Sequence, residues 1–570
     1  MFCLVYLLAW SLAAASPATR PAAIEINGTK LTVRTATVEA DFDGPILRGV
    51  RPAGSDVEFA SPAAAGPGID LLYLDGSLLN VDKHERVAVR RLSELAARVE
   101  VSGADTTRTL LVVTDPDTGD IRITPDGLSN RRALRAVRWT VPLHAECMVT
   151  LPCVNGLQFR VDQPHPPTNR FRWPCDWNAQ LTVATRGAFS LMVHCEDRDY
   201  RYKALQLTRH GDRTEVGFES ESPGPLWDNR TAGGIEWRLN VYKGDWRVPA
   251  ERYKQWMATA YDLAEKRRHR PAWVTDISLA VCWAGTNPDM LDALAAAHPP
   301  SQTLIHLSGW RTDKYDVNYP EYIPSEQAIA YMAKARDMGF HVMPHFNYFS
   351  VYYQHPFFQV VRDFQLRTID KNQPDGWHWP PETHDYTRMG FIHPGLGVWR
   401  DKLIDVVGEV CGRTSTDVTF LDQTLCTWNA DNASVQGMNT IAALHVLQEQ
   451  FAAVYPELVL AGEGLTEISF QRQCFAQAHI LEGWGDLAQK HVEAQHDICQ
   501  FLWGDHTRLI GYYHLTPGGK QFDKGIETYE RMRAIPTLIT NNPADLREPD
   551  PLTRRVLELA RRPRITRAGD

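Results

Sequence analysis

Several kinds of chemistry have no foothold in this sequence. No glycine-rich phosphate loop follows an apolar run, no Gly-x-Ser-x-Gly elbow is present and no internal repeat recurs. Ten cysteines are present, but none forms a Cys-x-x-Cys pair or a Cys/His cluster at metal-ligand spacing, so zinc is unsupported. Nothing in the chain demands a metal or an organic cofactor. Positive charge is in deficit, with a net charge of −9, which argues against a nucleic-acid partner. Beyond the first residues no apolar run is long enough for a membrane span. Disorder is excluded as well, because 44% of residues are hydrophobic.

A chain of 570 residues exceeds one hydrophobic core and predicts several domains. Residues 1–16 read as a signal peptide, an apolar run from Phe2 to Trp10 followed by Ala13-Ala14-Ala15-Ser16, although no Lys or Arg precedes it. The expectation is a secreted or periplasmic protein, with one disulfide among Cys147, Cys153, Cys175 and Cys195. From 23 to 243 short alternating runs such as Thr107–Val113, separated by turns such as Asp75-Gly76, predict a large antiparallel β-sandwich. Residues 244–271 read as a linker helix carrying Tyr253 and Trp256, closed by a basic, solvated stretch from Lys266 to Pro271.

From 272 to 545 strands alternate with helices, the pattern of a (β/α)8 barrel. Strands are predicted at Ile277–Trp283, Thr303–Trp310, Phe340–Asn347, Val418–Asp422, Leu458–Glu463, His479–Trp484, Arg508–His514 and Ile535–Thr540. A long aromatic insertion, 349–398, is expected to wall the cleft, and 546–570 to form a helix and a charged tail.

Two of these strands are apolar runs that end in a carboxylate, Val418-Thr419-Phe420-Leu421-Asp422 and Leu458-Val459-Leu460-Ala461-Gly462-Glu463. The intervening Met438–Tyr455 has helical spacing, which makes the strands neighbours in a βαβ unit. Carboxylates at adjacent C-terminal strand ends of a barrel suit a retaining glycosidase, in which the two groups stand about 5 to 5.5 Å apart. Asp422 and Glu463 are therefore the candidate catalytic pair, with Glu467 and Glu482 in reserve. Other strand ends and loops offer Trp283, Trp310, His345, Asn347, His393, Trp428, Trp484 and Asn541 as candidate substrate-binding residues, rings for the apolar sugar face and polar groups for hydroxyls.

The order of parts resembles the retaining glycoside hydrolases that join a galactose-mutarotase-like sandwich to a (β/α)8 barrel, namely the endo-α-N-acetylgalactosaminidase family and the melibiase-type α-galactosidases. Gly244-Asp245-Trp246 with Tyr253 and Trp256, His393-Pro394 with Trp399, Phe420-Leu421-Asp422 and Gly462-Glu463 carry the resemblance. It implies an α-linked oligosaccharide, polysaccharide or glycoconjugate substrate, Asp422 as nucleophile and Glu463 as acid/base. The second family would instead put the acid/base on the sixth strand, where Glu482 and Asp486 stand. The competing expectation is a catalytically inactive carbohydrate-binding protein on the same fold.

Overall fold

The computed structural model describes residues 22–61, 68–82, 84–163, 168–210, 213–378, 388–478, 494–511 and 522–562. Alternation in the first part becomes antiparallel sheet. Thr106–Thr114, for example, buries every second residue, the pattern of a strand with one face on a core. A four-stranded sheet (23–52) accompanies a six-stranded and a ten-stranded sheet. The two larger sheets meet across aromatic rings. Trp139 and Phe218 of the smaller lie 5.7 Å apart, and Phe218 lies 5.2 Å from Trp237 of the larger. All three are fully buried.

The second part is a parallel barrel whose strands we number β1 (Leu279–Ala284), β2 (Thr303–Leu307), β3 (His341–Asn347), β4 (Val418–Asp422), β5 (Val459–Glu463), β6 (Gln473–Ala478), β7 (Arg508–Gly511) and β8 (Thr537–Leu538). They pair in chain order, and β8 returns to β1. Between β7 and β8 the ring is nearly closed by a parallel bridge from Ile510 to Ile535. Side chains inside the barrel form their own apolar cluster, including Leu304, Met343, Val418, Phe420, Val459, Ala461, Phe475 and Ile510. Outer helices start where the sequence supplies a cap. Ser325 accepts from Ala328 N at the head of Glu326–Asp337, and Asn439 accepts from Ala442 N at the head of Thr440–Val454.

Three expectations are corrected. The sixth strand is Gln473–Ala478 rather than His479–Trp484, whose residues lie outside those described. Its glutamines interrupt the apolar run by which a buried strand is recognised. Cys147, Cys153, Cys175 and Cys195 are free thiols, with no disulfide among them. The basic stretch after the linker helix is docked rather than solvated, since Lys266 pairs with Glu449 at 2.7 Å and Arg270 donates to the carbonyls of Asp505 and His506. The helix expected near the C-terminus is Pro551–Arg561, capped by Asp550, while the tail from 563 and the signal-like segment 1–16 lie outside the described residues.

Glu467, four residues past the end of β5, ties these parts together. Its fully buried carboxylate accepts from Tyr253 and Tyr261 hydroxyls at 3.0 and 2.5 Å, from Gln180 N and Nε2 at 3.1 and 2.9 Å, and from Trp173 Nε1 at 3.3 Å. Those donors come from the sandwich and from helix Arg247–Ala260 with the residue that ends it. Replacing this acceptor with an amide leaves buried donors facing a donor, a loss of about 3 kcal/mol. Glu467→Gln is expected to lower the melting temperature by roughly 5 °C in a thermal scan. An unchanged melting temperature would rule the clasp out.

Candidate functional site

Period-two alternation carries the barrel's interior lines upward into polar residues. Leu304 leads to His306 on β2, Met343 to His345 and Asn347 on β3, Phe420 to Asp422 on β4 and Ala461 to Glu463 on β5. The polar layer rests on an aromatic floor, with the rings of His306 and His345 4.4 and 5.3 Å from that of Phe420. Asn347 stands opposite Asp422 in the β3–β4 register, and Leu421 opposite Gly462 in the next pair. The two carboxylates therefore sit side by side at the C-terminal rim, the face on which barrel enzymes build their sites.

The side chains of Asp422 and Glu463 are neighbours close enough for each carboxyl to oppose ionisation of the other. Burial, then the neighbouring charges of Glu463 and Asp316, hold the Asp422 carboxyl well above the usual carboxylate range. Two contacts fix the geometry. Asn347 Nδ2 donates to Asp422 Oδ2 at 3.3 Å, and Gln423 N, in a left-handed turn with φ of 63°, donates to Glu463 Oε2 at 3.1 Å. Asp422 keeps 14% of its side chain accessible, whereas Glu463 is 2% exposed.

Of the predicted site residues, His345, Asn347 and Trp283 join this pair. His345 Nε2 lies 3.7 Å from Asp422 Oδ2, and the ring of Trp283 is 5.7 Å from that of His345. Asn347 is buried and serves Asp422 and Gln423. Trp310 is fully buried behind β3, with its indole N–H on the His345 carbonyl at 3.3 Å, so it is a packing residue and not a sugar platform. His393 is likewise buried. It bonds Gly395 N and the Ala433 carbonyl ahead of helix Gly397–Thr414, and burial pushes its imidazole down to about 4. Asn541 clips the barrel seam, accepting from Gly285 N at 2.6 Å and donating to the Trp283 carbonyl. Trp484, Glu482, Asp486 and His514 lie outside the described residues. Glu467 is the clasp already described.

Trp428 lines a neighbouring cleft of about 270 Å³ together with Arg172, Trp173 and Lys203 of the sandwich and Asp375 of the insertion. Thr368, Ile369 and Asp375 place the long insertion on one wall of this cleft, while Trp379 and Tyr386 are not among the described residues. Cys175 and Cys426 each feel the charges of both Arg172, in the cleft wall, and Glu463. Sequence reasoning missed His306, Tyr315, Asp316 and the Arg172–Asn178 loop. A histidine inside the apolar run Thr303-Leu304-Ile305-His306-Leu307 was a signal available for the first.

A family model described as a domain of unknown function, DUF6259, matches residues 235–434. No curated protein matches the sequence. Among solved structures the chain is similar to the α-N-acetylgalactosaminidase NagBb from Bifidobacterium bifidum, ligand-free, at 12% identity and a TM-score of 0.68, covering 92% of each chain. The same enzyme in its GalNAc complex matches at 13% identity, with 93% of each chain covered and a TM-score of 0.68. A GH36 α-galactosidase, AgaA from Geobacillus stearothermophilus, matches at 11% identity and a TM-score of 0.49, covering 93% of this chain and 85% of that one. The fold is accordingly the sandwich-plus-barrel architecture found in NagBb. No helix among the described residues is long and apolar enough to cross a membrane.

The raised Asp422 carboxyl has a consequence for stability. A carboxyl whose folded-state value lies above the unfolded one contributes stability below the unfolded value, about 3.9, and loses it as pH rises through the folded value. Asp422→Asn removes that loss. Its melting temperature relative to the unaltered protein is expected to rise between pH 4 and pH 8, and a difference independent of pH would show that Asp422 ionises normally.

Proposed function

We propose that the chain is a glycoside hydrolase that cleaves an α-linked sugar with retention, Asp422 acting as nucleophile and Glu463 as general acid/base. The observation that carries this reading is the pair of neighbouring carboxyls at the rim ends of the adjacent strands β4 and β5. A retaining enzyme needs one carboxylate ionised to attack and one carboxyl protonated to assist departure, and two carboxyls held together at a desolvated rim do not both ionise. Glu463 gives its proton to the departing oxygen while Asp422 bonds to the anomeric carbon. Glu463 then deprotonates the water that releases the sugar. The reaction requires the two groups to stand about 5 to 5.5 Å apart with the sugar between them.

The likeness to NagBb, whose complex holds GalNAc, supports an α-N-acetylgalactosaminide or a related α-galactoside as substrate. We read residues 23–243 as the supporting sandwich domain, 244–271 as the linker, 272–545 as the catalytic domain, 546–570 as a C-terminal appendage and 1–16 as an export signal. Aryl α- and β-glycosides of galactose and N-acetylgalactosamine, with the first-formed anomer followed by NMR, test the activity. The α-substrate is expected to yield the α-sugar first, and Asp422→Asn to slow turnover by about a thousandfold or more while the protein stays folded. First formation of the β-anomer would replace retention by inversion. Binding of the free sugar without turnover of any glycoside would leave a carbohydrate-binding protein.

A further inference from the structure

Behind Asp422 lies a line of groups that the reaction does not use directly. His345 Nδ1 is 3.0 Å from His306 Nε2, and His345 Nε2 faces the Tyr315 hydroxyl at 3.1 Å and Asp422 Oδ2 at 3.7 Å. At the far end the backbone N–H of Trp283 meets His306 Nδ1 at 3.5 Å. That N–H is available because the β1–β2 register slips between Val281 and Ala284, and Trp283 adopts a left-handed backbone with φ of 57°. A tryptophan rarely accepts that conformation, which costs on the order of 1–3 kcal/mol and persists only where the surroundings impose it.

An N–H can only donate, so the proton positions along the line follow in order. His306 Nδ1 accepts from Trp283, which places the proton of the neutral ring on Nε2. His306 Nε2 then donates to His345 Nδ1, and the proton of His345 is left on Nε2, on the side of Tyr315 and Asp422. Both rings are neutral, since burial pushes His306 down to about 3 and burial and the His306 ring push His345 well below its usual value. Asp422 Oδ2 is thus flanked by N–H groups of Asn347 and His345, with Glu463 and Asp316 as the anionic groups around it.

Resting on the glycosidase reading of Asp422, we propose that His306 is a positioning residue that fixes the tautomer of His345 so that an N–H, rather than a lone pair, faces the nucleophile. Without that constraint His345 can turn a lone pair toward Asp422, which opposes ionisation of the carboxyl.

The test uses the full-length protein with ¹⁵N-labelled histidine, the His345 signals being assigned by their loss in His345→Gln. His345 is expected to carry its proton on Nε2, and His306→Leu, which cannot donate, is expected to move it partly or wholly to Nδ1. On an aryl glycoside that is turned over, His306→Leu should lower kcat about tenfold, the low end of what an N–H dipole facing a charged group contributes, with KM little changed. The acid limb of its kcat–pH profile should shift upward, and His306→Gln, whose amide donates in place of Nε2–H, should recover most of both effects. A proton on His345 Nδ1 in the unaltered protein overturns the proposal, as does an acid limb that does not move in His306→Leu. Absence of glycosidase activity with the Nε2–H tautomer present would remove the catalytic reading and leave the tautomer assignment standing.

Discussion

The fold turns on one buried carboxylate. Glu467 sets a carboxyl in a site with no exposure, where burial raises it and opposes its ionisation, and five hydrogen bonds offset that opposition. Its partners are drawn from segments far apart in sequence, so the carboxylate is satisfied only when sandwich, junction and barrel are in register. The backbone joins in, with Glu467 N donating to the Asn178 carbonyl at 2.8 Å. This seats the Arg172–Asn178 loop at the barrel mouth, with Cys175 near enough to Glu463 to feel its charge. A sandwich that would otherwise be a separate body thereby supplies part of the wall beside the candidate site.

The same separation of charged from neutral groups runs through the barrel rim. Carboxyls cluster at Asp422, Glu463 and Asp316, where like charges cannot all ionise together in a desolvated space. Neutral imidazoles stand behind them, backed by the ring of Phe420. Polarity is therefore graded along the barrel axis, from the largely apolar interior cluster to the carboxyls and imidazoles of the rim. The stiffness of the β-strands carries that gradient, since each rim group is the next inward position after an apolar one.

How much of this the sequence discloses depends on whether a signal is local. Asp422 and Glu463 are legible because each ends an apolar run flanked by turn residues, and the helix between them fixes their strands as neighbours. Gln473-Cys474-Phe475-Ala476-Gln477-Ala478 is a strand of the same barrel, yet its polar positions hide it, and the expectation slid to His479–Trp484. Trp310 and Asn541 have the right chemistry just past the ends of strands, and His393 has it in the loop ahead of helix Gly397–Thr414. Which way a side chain points after the last ladder residue is set by loop contacts that no short window contains, and theirs turn to backbone carbonyls and amides. Glu467 is the sharpest case, a carboxylate four residues from Glu463 whose partners lie more than two hundred residues away in the chain.

The cleft beside the pair shows why proximity of cations is not the same as positive charge. Arg172, Arg135 and Lys203 all line it, a set that by composition alone would suit an anion. Each, however, already holds a carboxylate: Arg172 Nε meets Asp176 at 2.9 Å, Arg135 Nε meets Glu221 at 3.0 Å and Lys203 Nζ meets Asp197 at 2.9 Å. Asp375 adds a further acidic group, and Arg172 lies over the ring of Trp428 at 5.4 Å. Paired ions present fixed donors and acceptors with little net field, while the indole adds a flat apolar surface. That combination matches a neutral ligand dense in hydroxyl groups better than a charged one, because hydroxyls exchange hydrogen bonds with such pairs without either ion losing its partner.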